Sequence, residues 1–162
     1  MIDNLVNAID IEPAMPATLP TPNDPYSPEA VVRRFFESLN ARDYRGAALA
    51  IADHCEWWSM PSEARHEGGS AVIAGLDQFT TAFPDWRADI ERVTAAGDVV
   101  AVEWVCTGTF RGGVFRGKLA NGKSFRRRGC SVAEVRHGQI VHYRDYFDRV
   151  TLLEQLELMD LV

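Results

Sequence analysis

The stretch from Trp86 to Asp148 constrains the fold most, because it contains two long pairs of strand-like segments. "WRADIERVTAAGDVVAVEWVCTGTF" predicts two strands around the turn Ala96–Gly97–Asp98, and "RRRGCSVAEVRHGQIVHYRDYFD" predicts two more around His137–Gly138. Apolar residues at helical spacing precede them, over residues 28–40, 44–52 and 68–83. Helices followed by antiparallel strands predict an α+β domain, with helices on one side of a curved sheet and a concave pocket between the two layers.

The two ends of the chain have their own signals. Six of the eight prolines fall between residues 13 and 28, a density that suits neither a helix nor a sheet, so residues 1–26 are expected to form a proline-rich arm. One domain then covers residues 27–162, beginning with Ser27 as the cap of the first helix and Pro28 at its first position. "CEWWSM" (55–60) predicts a first strand, and Asp148 predicts the cap of a last helix over 149–158.

Charge and composition exclude several classes of protein. The formal charge of −6 argues against a sequence-independent nucleic-acid binder, which needs a basic surface. The three cysteines have no metal-ligand spacing, so we expect neither a zinc site nor a disulfide framework. Since no apolar run approaches the roughly 20 residues of a membrane span, and no signal peptide is apparent, we expect a cytoplasmic protein with no membrane partner.

Asp145 is the anomaly of the last strand. Val141, Tyr143 and Phe147 alternate onto one apolar face, and Asp145 lies on the same face between the last two. An unpaired carboxylate there costs several kcal/mol or keeps its proton. It is therefore either a structural carboxylate, held by an arginine or by backbone donors, or an acid/base group.

Three segments together resemble the NTF2-like superfamily: "RDYFD…TLLEQLEL", the third helix running into "FPDW", and "VEWVCTGTF" followed by "NGK". Over residues 28–158 the closest similarity is to the SnoaL-like polyketide cyclases and the limonene-epoxide-hydrolase group. The resemblance implies a cone-shaped cavity, with a curved, mixed sheet wrapped over N-terminal helices. It also implies that the aspartate of the last strand, here Asp145, is a catalytic acid/base.

The resemblance implies that an epoxide hydrolase of this group needs four further side chains. When the strands of this sequence are matched to those of the hydrolases, none of the four is present. Trp57 and Ser59 stand where the resemblance implies a water-holding tyrosine and asparagine, and Trp104 and Cys106 where it implies an arginine and an aspartate. The SnoaL-like cyclases need only the lone aspartate. The resemblance therefore favours a cyclase over a hydrolase.

Strand alternation suggests a partner for Asp145. Arg127 shares one face of its predicted strand with Phe125, Gly129, Ser131 and Ala133. If this face points into the cavity, Arg127 can stabilise an enolate or pair with Asp145. The alternative is that Arg126, Arg127 and Arg128 all decorate a solvated or dimeric surface. Further residues are expected to contact substrate: Tyr143, Trp57, Trp104, Ser59, Phe147 and, at the mouth, His66.

Three functions follow as hypotheses. The first is an enzyme of secondary metabolism needing neither cofactor nor metal, a cyclase or isomerase acting on a small, oxygenated, largely apolar metabolite with Asp145 as proton shuttle. The second is an epoxide hydrolase with altered proton-handling residues. The third is a non-catalytic ligand-binding or dimerisation module. The resemblance also implies a homodimer formed through the convex face of the sheet, where His142 and Arg144 would lie.

Overall fold

The computed structural model describes residues 24–161, so the expected N-terminal arm lies outside the described residues except for its last three. Within this range the α-helices are α1 (Pro28–Asn40), α2 (Tyr44–Leu49), α3 (Gly69–Ala82) and α4 (Arg149–Gln155). The strands are β1 (Ile51–Ser59), β2 (Ala64–Glu67), β3 (Arg87–Ala96), β4 (Val99–Thr109), β5 (Val114–Phe115), β6 (Lys118–Leu119), β7 (Ser124–Arg136) and β8 (Gln139–Phe147). Short 3₁₀ turns lie at Met60–Ser62 and Met159–Leu161. None of the described helices is long and apolar enough to cross a membrane.

The sheet confirms the predicted α+β class. Six strands follow the order β2-β1-β8-β7-β4-β3, and β5 with β6 forms a separate hairpin. Only the β1–β8 pair is parallel, which makes the sheet mixed. Register shifts interrupt the β1–β8, β3–β4 and β7–β8 pairings, and such irregularities bend a sheet.

Helix α1 packs into the hollow of this sheet. The Ser27 side chain accepts a hydrogen bond from the Ala30 amide, and Pro28 occupies the first turn, as the sequence predicts. One face of the helix is buried, through Val31, Val32, Phe35, Phe36 and Leu39. Burying that many large apolar side chains, at about 1.5–3 kcal/mol each, is what holds the helix layer against the sheet.

Several predicted boundaries are wrong. Helix α2 ends at Leu49 rather than at residue 52, because Ile51 already pairs with Ile140 in the parallel β1–β8 ladder. The first strand accordingly begins at Ile51 and not at Cys55. Helix α4 ends at Gln155 instead of residue 158, and the chain turns at Glu157, whose φ is +56°.

The glycine-rich segment after β4 is a structured hairpin. Its tight turn is Arg116–Gly117, both with positive φ. Asn121–Gly122 instead closes the base of the excursion, where the Gly122 amide donates to the Phe110 carbonyl. The hairpin is thereby folded over one end of the sheet, where half-buried Phe115 and exposed Arg116 contribute to the cavity lining.

Candidate active site

A cavity of about 310 Å³ lies between the concave face of the sheet, the helices and the β5–β6 hairpin. All of the site residues predicted from the sequence line it, namely Trp57, Ser59, His66, Trp104, Arg127, Tyr143, Asp145 and Phe147. Most of the remaining lining is apolar and comes from α1, α3 and α4. The cavity is therefore a mainly aromatic chamber that contains a few polar side chains.

Asp145 lies deep in the cavity because of where β8 runs. The strand sits between β1 and β7, and Asp145 is paired with Ser59 on one side and with Ser131 on the other. Ser131, which is fully buried, donates from its hydroxyl to Asp145 Oδ1 at 2.5 Å. Trp104 Nε1 in turn donates to the Ser131 hydroxyl oxygen at 2.8 Å. This chain fixes one carboxylate oxygen and leaves Oδ2 without a hydrogen bond from any described residue.

Burial raises the pKa of the Asp145 carboxyl from 3.8 to about 6, against the opposing effects of the Ser131 hydrogen bond and the Arg127 charge. The chamber removes water from the carboxylate, and one hydroxyl donor does not replace that hydration. A carboxyl with a pKa near 6 is ionised at neutral pH yet basic enough to take a proton. Such a group suits general base catalysis.

Arg127 faces inward, whereas Arg126 and Arg128 are exposed. Its guanidinium carbon lies 3.9 Å from the ring centroid of Phe147 and 5.7 Å from that of Trp104. No ion pair joins it to Asp145 or to any other described acidic side chain, so it does not hold Asp145 as a structural salt bridge. The aromatic rings keep a cation in the cavity beside the carboxylate.

The lining next to Asp145 on β8 and β1 is built by aromatic stacking. The rings of Trp57 and Tyr143 are stacked with centroids 3.7 Å apart at 16°, and Phe35 packs against both. Burial, and then the charge of Asp145, holds the pKa of Tyr143 well above its usual value. Tyr143 therefore keeps its proton and can donate a hydrogen bond.

Ser59 and His66 lie where β1 meets β2. Ser59 is next to Asp145 in the ladder, and its hydroxyl accepts a hydrogen bond from the Ser62 hydroxyl at 3.0 Å. His66 pairs with Trp57 and packs beside Gly75 of α3. Both are placed to contact a ligand, although neither touches Asp145 through a hydrogen bond.

The sequence did not identify as site residues the fully buried Ser131, which holds Asp145, or the cavity-lining Arg116 and Arg149. Ser131 belongs to the inward-alternating set of β7, but its role depends on the β7–β8 register, which places it opposite Asp145. Arg116 and Arg149 come from the hairpin turn and the start of α4, and they meet only in the folded chain. Among residues 24–161, no group of three or more His, Cys, Asp or Glu side chains is placed to hold a metal ion.

Comparisons with known proteins agree with this architecture. The family model for SnoaL-like polyketide cyclase matches residues 29–156. No curated protein sequence matches the chain significantly. Among solved structures, a candidate SnoaL-like polyketide cyclase from Jannaschia sp. CCS1 is 22% identical with a TM-score of 0.72, over 80% of this chain and 90% of that one.

Two further solved structures show the same fold. The candidate polyketide cyclase IdmH from Streptomyces antibioticus is 23% identical with a TM-score of 0.71, over 81% of this chain and 99% of that one. The LEH-like epoxide hydrolase from M. tuberculosis is 21% identical with a TM-score of 0.63, over 81% and 90%. At such identities the similarity establishes the fold, which is the NTF2-like fold of both groups.

Proposed function

The chain belongs to the SnoaL-like polyketide cyclase family, and we propose that it is an acid/base enzyme of the cyclase or isomerase type that needs no cofactor. Its substrate is a small, oxygenated, largely apolar metabolite. The observation that carries this proposal is Asp145, a carboxyl with a pKa raised to about 6 at the bottom of an aromatic cavity. A dimerisation module would need neither the open cavity nor the perturbed carboxyl, and a binding-only module would not need the perturbed carboxyl.

In the proposed reaction Asp145 Oδ2 takes a proton from a carbon next to a carbonyl group. The electron pair of the broken C–H bond moves onto the carbonyl oxygen and gives an enolate. In a cyclisation the enolate carbon attacks a second carbonyl, and the new alkoxide regains the proton from Asp145. In an isomerisation Asp145 returns the proton to a different carbon. In both reactions Asp145 gives back the proton it took, so neither reaction needs a co-reactant.

Arg127 is the proposed partner of the enolate oxygen. Its charge stands in the cavity without an acidic partner among the described residues, and aromatic rings screen it from water. A cation held in place before reaction stabilises developing negative charge without reorganisation. Tyr143, which keeps its proton, is the second donor, while Trp57, Trp104, Ser59, Phe147 and His66 orient the substrate.

Epoxide hydrolysis is the second candidate, favoured by the structural similarity to the M. tuberculosis enzyme. In this chain Trp57 and Ser59 line the cavity from β1, and Trp104 and Cys106 line it from β4. Burial raises the pKa of the Cys106 thiol, so it offers no charged counterpart to the missing aspartate. Incorporation of ¹⁸O from labelled water into a diol would identify this activity.

The test is deuterium exchange into carbon acids in D₂O, monitored by proton NMR. The carbon acids are a panel of β-diketones and aryl ketones. Exchange reports proton abstraction alone and does not require the natural substrate. We expect the protein to accelerate exchange, and Asp145→Asn to reduce the acceleration by about 10²–10⁴-fold. Asp148→Asn, at an exposed helix cap, is the matched control and should keep it. Full exchange activity in Asp145→Asn would refute the assignment.

We also propose a homodimer formed through the outer face of the sheet. His142 and Arg144 lie on that face, and His142 is flanked there by Glu56 and Glu134. Light scattering of the purified protein tests this directly, and a monomeric mass at micromolar concentration would contradict it.

A further inference from the structure

The charged groups of the cavity do not balance. Three guanidinium groups line it, those of Arg116, Arg127 and Arg149, against the single carboxylate of Asp145. Among the described residues, none of the three lies within ion-pair distance of an acidic side chain, although surface arginines such as Arg128 are paired. This surplus of positive charge lies inside a protein whose formal net charge is −6. Such a cavity concentrates anions.

The hydrogen-bonding groups are unbalanced in the same direction. Among residues 24–161, three buried side-chain polar atoms have no hydrogen-bond partner: Trp86 Nε1, Arg127 Nε and Arg149 Nε. All three are N–H donors, and all three belong to residues that line this cavity. Trp86 and Arg127 both lie close to the Cys106 sulfur, which is only a weak acceptor, whereas Arg149 Nε has no acceptor nearby among the described residues. Because buried donors are almost always satisfied in folded proteins, Arg149 Nε is the donor that calls for an acceptor from a ligand.

Arg116, which is exposed, and Arg149, which is half-buried, form one cationic end of the cavity. Arg116 occupies the tight turn of the β5–β6 hairpin, and Arg149 is the first residue of α4. Arg149 Nη2 donates to the Leu161 carbonyl at 2.8 Å, which anchors the side chain and leaves its other donors available. Burial, and then the charge of Arg149, lowers the pKa of Arg116. Two guanidinium groups that repel each other here would both be stabilised by an anion.

We propose that the ligand of this cavity is an organic acid whose carboxylate binds to Arg116 and Arg149. Its body then lies along the aromatic lining toward Asp145 and Arg127. A carboxylate fits because it accepts paired hydrogen bonds from guanidinium donors, while the mainly apolar lining restricts the charge to one end of the ligand. Only the position of the reacting carbon beside Asp145 rests on the proposed function.

Isothermal titration calorimetry with 2-naphthoic acid and its neutral isostere 2-naphthamide tests the carboxylate directly. We expect the acid to bind about tenfold more tightly than the amide at low salt, and this preference to weaken as salt is added. Arg116→Met and Arg149→Met should each reduce acid binding by about fivefold and leave amide binding unchanged. Arg126→Met, an exposed neighbour outside the cavity, is the matched control and should bind as wild type does.

The outcomes separate this proposal from the catalytic one. Equal binding of acid and amide, undetectable acid binding, or an acid preference that survives in the Arg116→Met/Arg149→Met double variant would overturn it. Arg149→Lys keeps the charge and should restore part of the acid preference, which distinguishes lost binding from misfolding. Asp145→Asn should retain the preference. If Asp145→Asn retains the acid preference and the wild type does not accelerate deuterium exchange, the carboxylate site is supported and the proposed reaction is refuted.

Discussion

Replacing Asp145 with asparagine should stabilise the protein, and the gain should depend on pH. The folded-state pKa of Asp145 is raised, from 3.8 to about 6, so the native protein holds this proton more tightly than the unfolded chain does. Native stability therefore falls as pH rises through the window between those two values. Above about pH 6 the full cost of the buried charge is present. Since each pKa unit corresponds to about 1.4 kcal/mol, that cost is about 3 kcal/mol.

Urea denaturation of wild type and Asp145→Asn measures this cost. The variant keeps the Ser131 hydrogen bond, because an amide oxygen can accept it as Oδ1 does. We expect Asp145→Asn to be more stable by about 3 kcal/mol near pH 8 and by only about 0.5 kcal/mol near pH 4. A variant that is less stable than wild type at pH 8, or a difference that does not change with pH, would refute the reasoning.

Asp148→Asn is the matched control with the opposite sign. The hydrogen bonds from the Thr151 side chain and amide hold the pKa of Asp148 below its usual value. Its stabilising effect is therefore present above the unfolded pKa and lost as pH falls through the folded one. Asp148→Asn should lower stability slightly near pH 8 and lose that effect in acid. The two aspartates thus separate a buried acid from a capping carboxylate in one experiment.

Three further substitutions test the surroundings. Ser131→Ala removes the donor to Asp145, so the pH at which exchange activity appears should rise by about one unit; an unchanged pH profile would count against the relay. In Gly129→Ala the new Cβ would lie 2.4 Å from the Trp104 ring, so we expect a loss of about 1–3 kcal/mol of stability in thermal denaturation. Ser27→Ala should cost about 1 kcal/mol by the same assay without altering exchange activity, because it only removes the α1 cap.

Asp145 could be found from the sequence because its signal is local. Strand alternation alone places it among Tyr143 and Phe147, and the turn His137–Gly138, with positive φ at both residues, fixes where β8 begins. The same argument grouped Arg127 with Gly129 and Ser131 on one face of β7 but left open which face points inward, and the register that sets Ser131 opposite Asp145 decides it. Alternation works here because each strand has one face toward the cavity.

The rest depends on contacts between distant segments. Arg116 and Arg149 are 33 positions apart in sequence order, and nothing in their local patterns indicates that both reach the same cavity. Asn121–Gly122 is the stronger local turn signal in this segment, because Asn-Gly favours tight turns, but the hairpin turns at Arg116–Gly117. Tertiary packing decided between two acceptable turn sites.

Small residues at three cross-strand positions make this site possible. Asp145 is flanked in the sheet by Ser59 and Ser131, which are short enough to leave the carboxylate open to the cavity. Two residues before Ser131 on β7, Gly129 pairs with Trp104 of β4 on one side and with Phe147 of β8 on the other.

The absence of a side chain at Gly129 is what lets the Trp104 ring lie across β7. A Cβ at that position would be 2.4 Å from Cη2 and Cζ2 of the indole, and it would also be 2.8 Å from the Tyr146 carbonyl oxygen. With the ring in this position, Nε1 reaches Ser131, which then donates to Asp145. The hydrogen bonding of Asp145 thus depends on residues with a small side chain or none. Their role can be recognised only once the strand register is known.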